Sequence, residues 1–110
     1  MEEQAEKIAL TEAVYYILLS LYTPMHGYGM IQKIKELSGE RVILAPGTLY
    51  GAINTLLQKQ WICLEEGQDE QARKKEYVIT PLGKQMIEGE VIRLEELLQN
   101  GKEIIGRDIK

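Results

Sequence analysis

Apolar residues along this chain fall into helical and strand-like runs whose order is the first guide to the fold. The spacing predicts a first helix from about Ile8 to Tyr22. Leu10, Ala13, Val14, Tyr15, Ile17, Leu18, Leu19 and Leu21 fall on all of its sides. A helix apolar all round is buried on more than one side, and in a short chain one of those sides is open to a second subunit. Thr23-Pro24-Met25-His26-Gly27 breaks the pattern. A second helix, Tyr28 to Leu37, carries Met30, Ile31, Ile34 and Leu37 as its stripe, and Gly39 stands where a left-handed residue ends it.

Arg41 to Leu44 reads as an extended link. Pro46 then occupies the first position of a third helix, where its missing N–H costs nothing. In that helix, which runs to about Lys59, Leu49, Ala52, Ile53, Leu56 and Leu57 form one apolar stripe. The opposite face collects Gly47, Thr48, Gly51, Asn54, Thr55 and Gln58, all polar or small and none charged. A face that only needed solubility would more usually carry Glu and Lys. Small hydrogen-bonding residues suit a helix pressed against another polar surface, and the DNA major groove is the commonest such surface.

Trp61 to Leu64 and Glu76 to Ile79 are two β-prone runs joined by a polar segment containing Gly67, which predicts a hairpin with a long tip. Thr80-Pro81 starts the last helix, an N-cap followed by proline. It runs to about Asn100-Gly101 and raggedly on to Ile105. Within it Ile87, Val91, Leu94 and Leu98 have the seam spacing of a helix packed lengthwise on another. The expected fold is mainly α with a small β-hairpin. Residues 1–80 form a winged helix-turn-helix with its N-terminal helix, and residues 81–110 a dimerisation helix and tail.

At 110 residues, 45% of them hydrophobic, the chain suffices for one modest core. The N-terminus, Glu2-Glu3-Gln4, has no basic stretch of a signal peptide, and the run from Ile8 to Tyr22 is too short to span a bilayer. The lone Cys63 has no internal disulfide partner, which points to a reducing cytoplasm. A net charge of -4 lowers the expectation of nucleic-acid binding. The acids nevertheless gather at Glu2, Glu3, Glu6 and Glu12 and at Glu88, Glu90, Glu95 and Glu96. From Arg41 to Lys84 six cations face five acids.

Little here suits catalysis. His26 and Cys63 are single residues where a metal needs three or four ligands, so neither a metal nor a cofactor is expected. Cys63 lies in an apolar strand, where a reactive thiolate is disfavoured. Ser20 and Ser38 lack an activating histidine and acid, and no phosphate-binding glycine loop is present.

Three motifs, in order and spanning nearly the whole chain, resemble the PadR family of bacterial transcriptional regulators, in its short form with a single C-terminal helix. His26-Gly27-Tyr28-Gly29-Met30 is similar to the family's start of the second helix. Pro46-Gly47-Thr48-Leu49-Tyr50, followed by Leu56 and Trp61-Ile62, resembles its recognition segment. Arg73-Lys74-Lys75-Glu76-Tyr77-Val78-Ile79-Thr80-Pro81-Leu82-Gly83 resembles its wing and the entry to its last helix. Gln60, where the family often has glycine, and Glu76, beside the tyrosine, depart from the pattern.

The resemblance implies a homodimer on a pseudo-palindromic double-stranded operator, most often as a repressor, with third helices in the major groove and wing tips on the flanking backbone. It also implies a response to a small molecule or to stress, a small molecule acting as effector at the dimer interface. Some short members hold planar drugs between tryptophans of the last helix, a helix that has no aromatic residue here. Tyr28 is similar to a phosphate contact of the family, or is a surface tyrosine covering the turn, with Gln32 and Lys33 one turn later. Tyr50 reads as a phosphate donor or as a half-buried core tyrosine. Thr48, Asn54 and Thr55 are candidates for phosphate or base contacts. Gly47 and Gly51 either allow close approach or answer a packing need. Arg73, Lys74 and Lys75 form a basic wing tip, or simply a solvated charge run. Val14, Leu18, Ile87, Val91, Leu94 and Leu98 are the expected dimer contacts, against the alternative that these helices pack only on their own core. The competing reading of the whole is a winged-helix module for protein–protein contact without DNA binding.

Overall fold

The computed structural model describes residues 9–67 and 74–106. Its elements are α1 (Glu12–Ser20), β1 (Met25–His26), α2 (Gly27–Leu37), α3 (Pro46–Gln58), β2 (Ile62–Leu64), β3 (Glu76–Ile79) and α4 (Pro81–Ile105). This is the expected mainly helical fold with a small antiparallel sheet. Pro46 and Pro81 open their helices as anticipated, and the Thr80 hydroxyl accepts from Gly83 N–H at 3.0 Å. Gly39 is left-handed at φ 62.

Two boundaries differ from expectation. The first helix starts at Glu12 because the Thr11 hydroxyl caps it, accepting from Val14 N–H at 3.1 Å; Ile8 lies outside the described residues. The supposed breaker before α2 also contains a strand. β1 pairs antiparallel with β3, Met25 opposite Tyr77 and His26 opposite Glu76, so the sheet has three strands in the order β1-β3-β2.

The core lies where α1, α2 and α3 meet the sheet and the first turns of α4. Ile17, Leu18, Leu21, Met30, Ile34, Leu49, Ile53, Leu56, Ile62 and Ile87 are fully enclosed in it. Leu37, expected there, is exposed. Cys63 is exposed as well, because side chains alternate along β2 and its neighbour Ile62 takes the inner face.

The start of α4 is tied to the turn after α3. Thr80 N–H donates to the Trp61 carbonyl, and the Thr80 hydroxyl to the Gln60 carbonyl at 2.7 Å. Gly83 lies so close that a Cβ there would be 2.1 Å from the Trp61 carbonyl oxygen. Gln60 itself sits at φ 64, which explains the glycine usual at this place; a side chain in this conformation costs about 1 kcal/mol.

Glu90, one of the acids that gather in the last helix, is buried. Its carboxylate accepts two hydrogen bonds from Arg93, at 2.7 and 2.8 Å, and one from Leu10 N–H at 3.2 Å, joining the N-terminal segment to α4. The Arg93 hydrogen bonds hold its pKa below the usual carboxylate value against the opposing effect of burial, with help from Leu10. A pKa lower in the folded than in the unfolded state stabilises the fold above the ordinary carboxylate range, and that increment is lost as pH falls toward the folded value. Glu90→Gln should therefore lower unfolding free energy at neutral pH by about 2 kcal/mol and shrink the difference between neutral and mildly acidic pH, as read by urea denaturation.

Candidate nucleic-acid interface

The polar face of α3 is bare. Gly47, Thr48, Tyr50, Gly51, Asn54, Thr55 and Gln58 are all exposed, while Leu49, Ile53 and Leu56 hold the helix to the core. A Cβ on Gly47 or Gly51 would meet nothing within 4 Å, so no packing need among the described residues explains these two glycines. Thr55 spends its hydroxyl proton on its own helix, donating to the Gly51 carbonyl at 3.2 Å.

Tyr50 crosses from this face to the start of α2. Its ring lies over Gly27, where an added Cβ would be 2.3 Å from the hydroxyl oxygen. With Tyr28, His26, Tyr77, Lys74 and Lys75 it lines an open cleft of about 460 Å³ between α2, α3 and the wing. β1 makes this cleft: its pairing with β3 holds His26 beside the strand that Lys74 and Lys75 lead into. Burial, and then the proximity of Tyr50, raises the Tyr77 pKa, so that its hydroxyl keeps its proton.

Of the expected interface residues, Tyr28, Tyr50, Lys74 and Lys75 are brought together. Gln32 and Lys33 are exposed one turn further along α2, outside the cleft lining. Arg73 lies outside the described residues. His26 and Tyr77, neither of them among the expected interface residues, belong to the cleft; the cue was the β-pairing, invisible in so short a strand.

Other cations are engaged elsewhere. Arg41 forks onto the Glu12 carboxylate, Lys59 lies over the Trp61 ring and Lys84 over the Tyr22 ring, each lysine 5.3 Å from the ring centre. Among the described residues Lys74 and Lys75 carry no ion pair. No group of metal-ligating side chains is found among the described residues.

The expected dimer contacts divide. Leu18 is 0% and Ile87 1% exposed within one chain, so neither offers surface to a partner, and that expectation is corrected. Seam spacing identifies a face of a helix but not what covers it, and here the protein's own core covers these two. Val14 is half-buried, while Val91, Leu94 and Leu98 are bare, together with Ile92, Leu97, Ile104 and Ile105.

Residues 15–89 match the transcriptional regulator PadR-like family. The chain belongs to that family. It is a family of transcription regulators, not of enzymes, in keeping with the lack of catalytic constellations in the sequence. A PadR-like transcription factor from Bacteroides fragilis is 28% identical, with a TM-score of 0.69 over 83% of this chain and 87% of that one. Bacillus subtilis PadR in complex with operator DNA is 25% identical, with a TM-score of 0.62 over 74% of this chain and 47% of that one. An uncharacterized 37.1 kDa protein in transposon TN4556 of Streptomyces fradiae is 36% identical over 74 residues, which are 67% of this chain and 20% of that protein. The chain thus spans about a fifth of that relative's length. No helix among the described residues is long and apolar enough to cross a membrane.

The atoms nearest to a side chain at Gly27, among the described residues, belong to the far end of Tyr50, which can swing away. Gly27→Ala should leave stability within about 1 kcal/mol of wild type, helped by alanine's helix preference, yet displace the Tyr50 ring. Urea denaturation and the ring proton shifts of Tyr50 would show both effects.

Proposed function

We propose that this PadR-family member is a homodimeric repressor that binds a pseudo-palindromic operator. The supporting observation is the bare, uncharged face of α3 running into a cleft of tyrosines with Lys74 and Lys75, which carry no ion pair among the described residues. On this reading Thr48, Asn54 and Thr55 face the major groove. Gly47 and Gly51 let the backbone approach closely, and Tyr28, Tyr50, Lys74 and Lys75 hold phosphates. Gln32, Lys33 and Arg73 extend the backbone contacts. The work would be done in the cytoplasm. That the B. subtilis relative has been captured with operator DNA supports the assignment.

The second half of the proposal is the dimer. Residues 81–110 serve association and residues 1–80 serve DNA. Val91, Leu94 and Leu98 form one exposed stripe on α4, joined by Leu97 and Ile105, and a lone helix gains little from leaving such a stripe in water. Two-fold pairing through it, with Val14 at the edge, would space the recognition helices by about one DNA turn, roughly 34 Å. A small-molecule effector would sit between subunits at this interface, in surroundings that are aliphatic rather than aromatic.

Gel shifts with DNA from upstream of the chain's own gene, over a range of salt, test the DNA half. Binding should fall steeply with salt, and Lys74→Ala and Lys75→Ala should each reduce the slope by about one per protomer while weakening all sequences alike. Absent or salt-independent binding would favour the protein–protein module instead. Light scattering tests the dimer: wild type should be dimeric at micromolar concentration, and Leu94→Glu monomeric with its helix content intact. A monomeric wild type would refute the two-fold mechanism.

A further inference from the structure

His26 has two ring nitrogens, and the fold assigns one of them. Nδ1 accepts the Gly29 N–H at 3.2 Å as the side-chain cap of α2. A nitrogen that accepts a hydrogen bond carries no proton, so in the neutral ring the proton is on Nε2. His26 also lines the cleft with Tyr28, Tyr50, Lys74, Lys75 and Tyr77. Every one of these side chains can donate a hydrogen bond, and no acid is among the described lining residues. Glu76 stands opposite His26 across the β1–β3 pair.

A cleft lined by donors from three directions suits a ligand that only accepts. The phosphodiester has two unbridged, charged oxygens and no donor. The cleft is continuous with the bare face of α3 through Tyr50, which belongs to both. We propose that this cleft is a seat for one backbone phosphate of the bound duplex, and that His26 Nε2–H is a donor to it. The inference rests on the DNA-binding reading above and adds a contact that the motif comparison did not supply. The single histidine thus has two roles, holding the α2 N-terminus with one nitrogen and the phosphate with the other.

Asparagine separates these roles, because its short side chain can still cap the helix but cannot reach into the cleft as the ring does. His26→Asn should melt within a few degrees of wild type and bind a duplex of about two helical turns roughly three- to tenfold more weakly. The lost donor is neutral, so the salt slope should stay at the wild-type value, unlike that of Lys74→Ala. A fully folded His26→Asn with wild-type affinity would overturn the proposal. Should wild type bind no duplex at all, the DNA-binding reading itself fails, and the seat with it.

The chain contains one histidine, so nitrogen-15 spectra of the ring give a second, mutation-free measurement. The free protein should show Nε2 protonated and Nδ1 bare. Adding the duplex should shift the Nε2 signal, while inorganic phosphate at the same phosphate concentration should not. Unchanged Nε2 on saturation with the duplex, or a shift with inorganic phosphate alone, would overturn the assignment.

Discussion

The arrangement depends on one close approach, that of the first turn of α4 to the carbonyl of Trp61. At Gly83 the two backbones come within a distance that no side chain can enter, and Thr80 bonds both Gln60 and Trp61 from the same turn. Unlike the crowding at Gly27, this one is between backbones and cannot be relieved by turning a side chain. It fixes three directions together: the exit of α3, the plane of the wing and the axis of α4. Ile79 N–H, bonded to the Leu21 carbonyl, secures the same sheet to the end of α1. The polar face of α3, the cleft and the bare stripe of α4 are therefore parts of one framework, and Gln60 accepts a left-handed backbone to make the turn.

The charge distribution follows a similar economy. The chain is acidic overall, yet several charges are neutralised in place. Glu90 is matched by Arg93 and Glu12 by Arg41. Lys59 and Lys84 are drawn over aromatic rings, where their stems cover apolar surface. Lys74 and Lys75 carry no ion pair among the described residues, and they flank a cleft with no acid among its described lining residues. The sign of the whole molecule is thus a poor guide to the sign a ligand meets at that cleft. Screening over a Debye length of about 8 Å at physiological salt sharpens the distinction.

Much of the fold was legible because its signals are local. A proline after a capping threonine, a glycine past a helix end and an apolar stripe every three or four residues each act within one turn of chain. The polar face of α3 was legible for the same reason. What escaped the sequence depends on distant partners. β1 has only two residues, too few for periodicity, and exists because β3 lies beside it. Glu90 looks like any helix-surface acid until Arg93 and Leu10 close around it. Leu18 and Ile87 show the limit most clearly: the pattern placed them on buried faces but could not say whether their own chain or another covers them. Gly27 reads as a motif residue, and only the position of Tyr50 reveals its steric role.

Recognition on the proposed reading is shaped by what α3 lacks. Without arginine on its exposed face it cannot make the bidentate guanine contact that supplies the strongest single-base discrimination. Its glycines and short polar side chains allow approach rather than reach. Precision must then come from the elements that fix where α3 lies, namely Tyr50 braced over Gly27, the cleft beside it and the two-fold spacing set through α4. Such a protein reads sequence partly through the shape and stiffness of the duplex that lets both halves engage together. A small change in the packing of two α4 helices would alter that fit without touching a base contact. If that stripe joins two subunits as proposed, it is also the natural place for an effector to act.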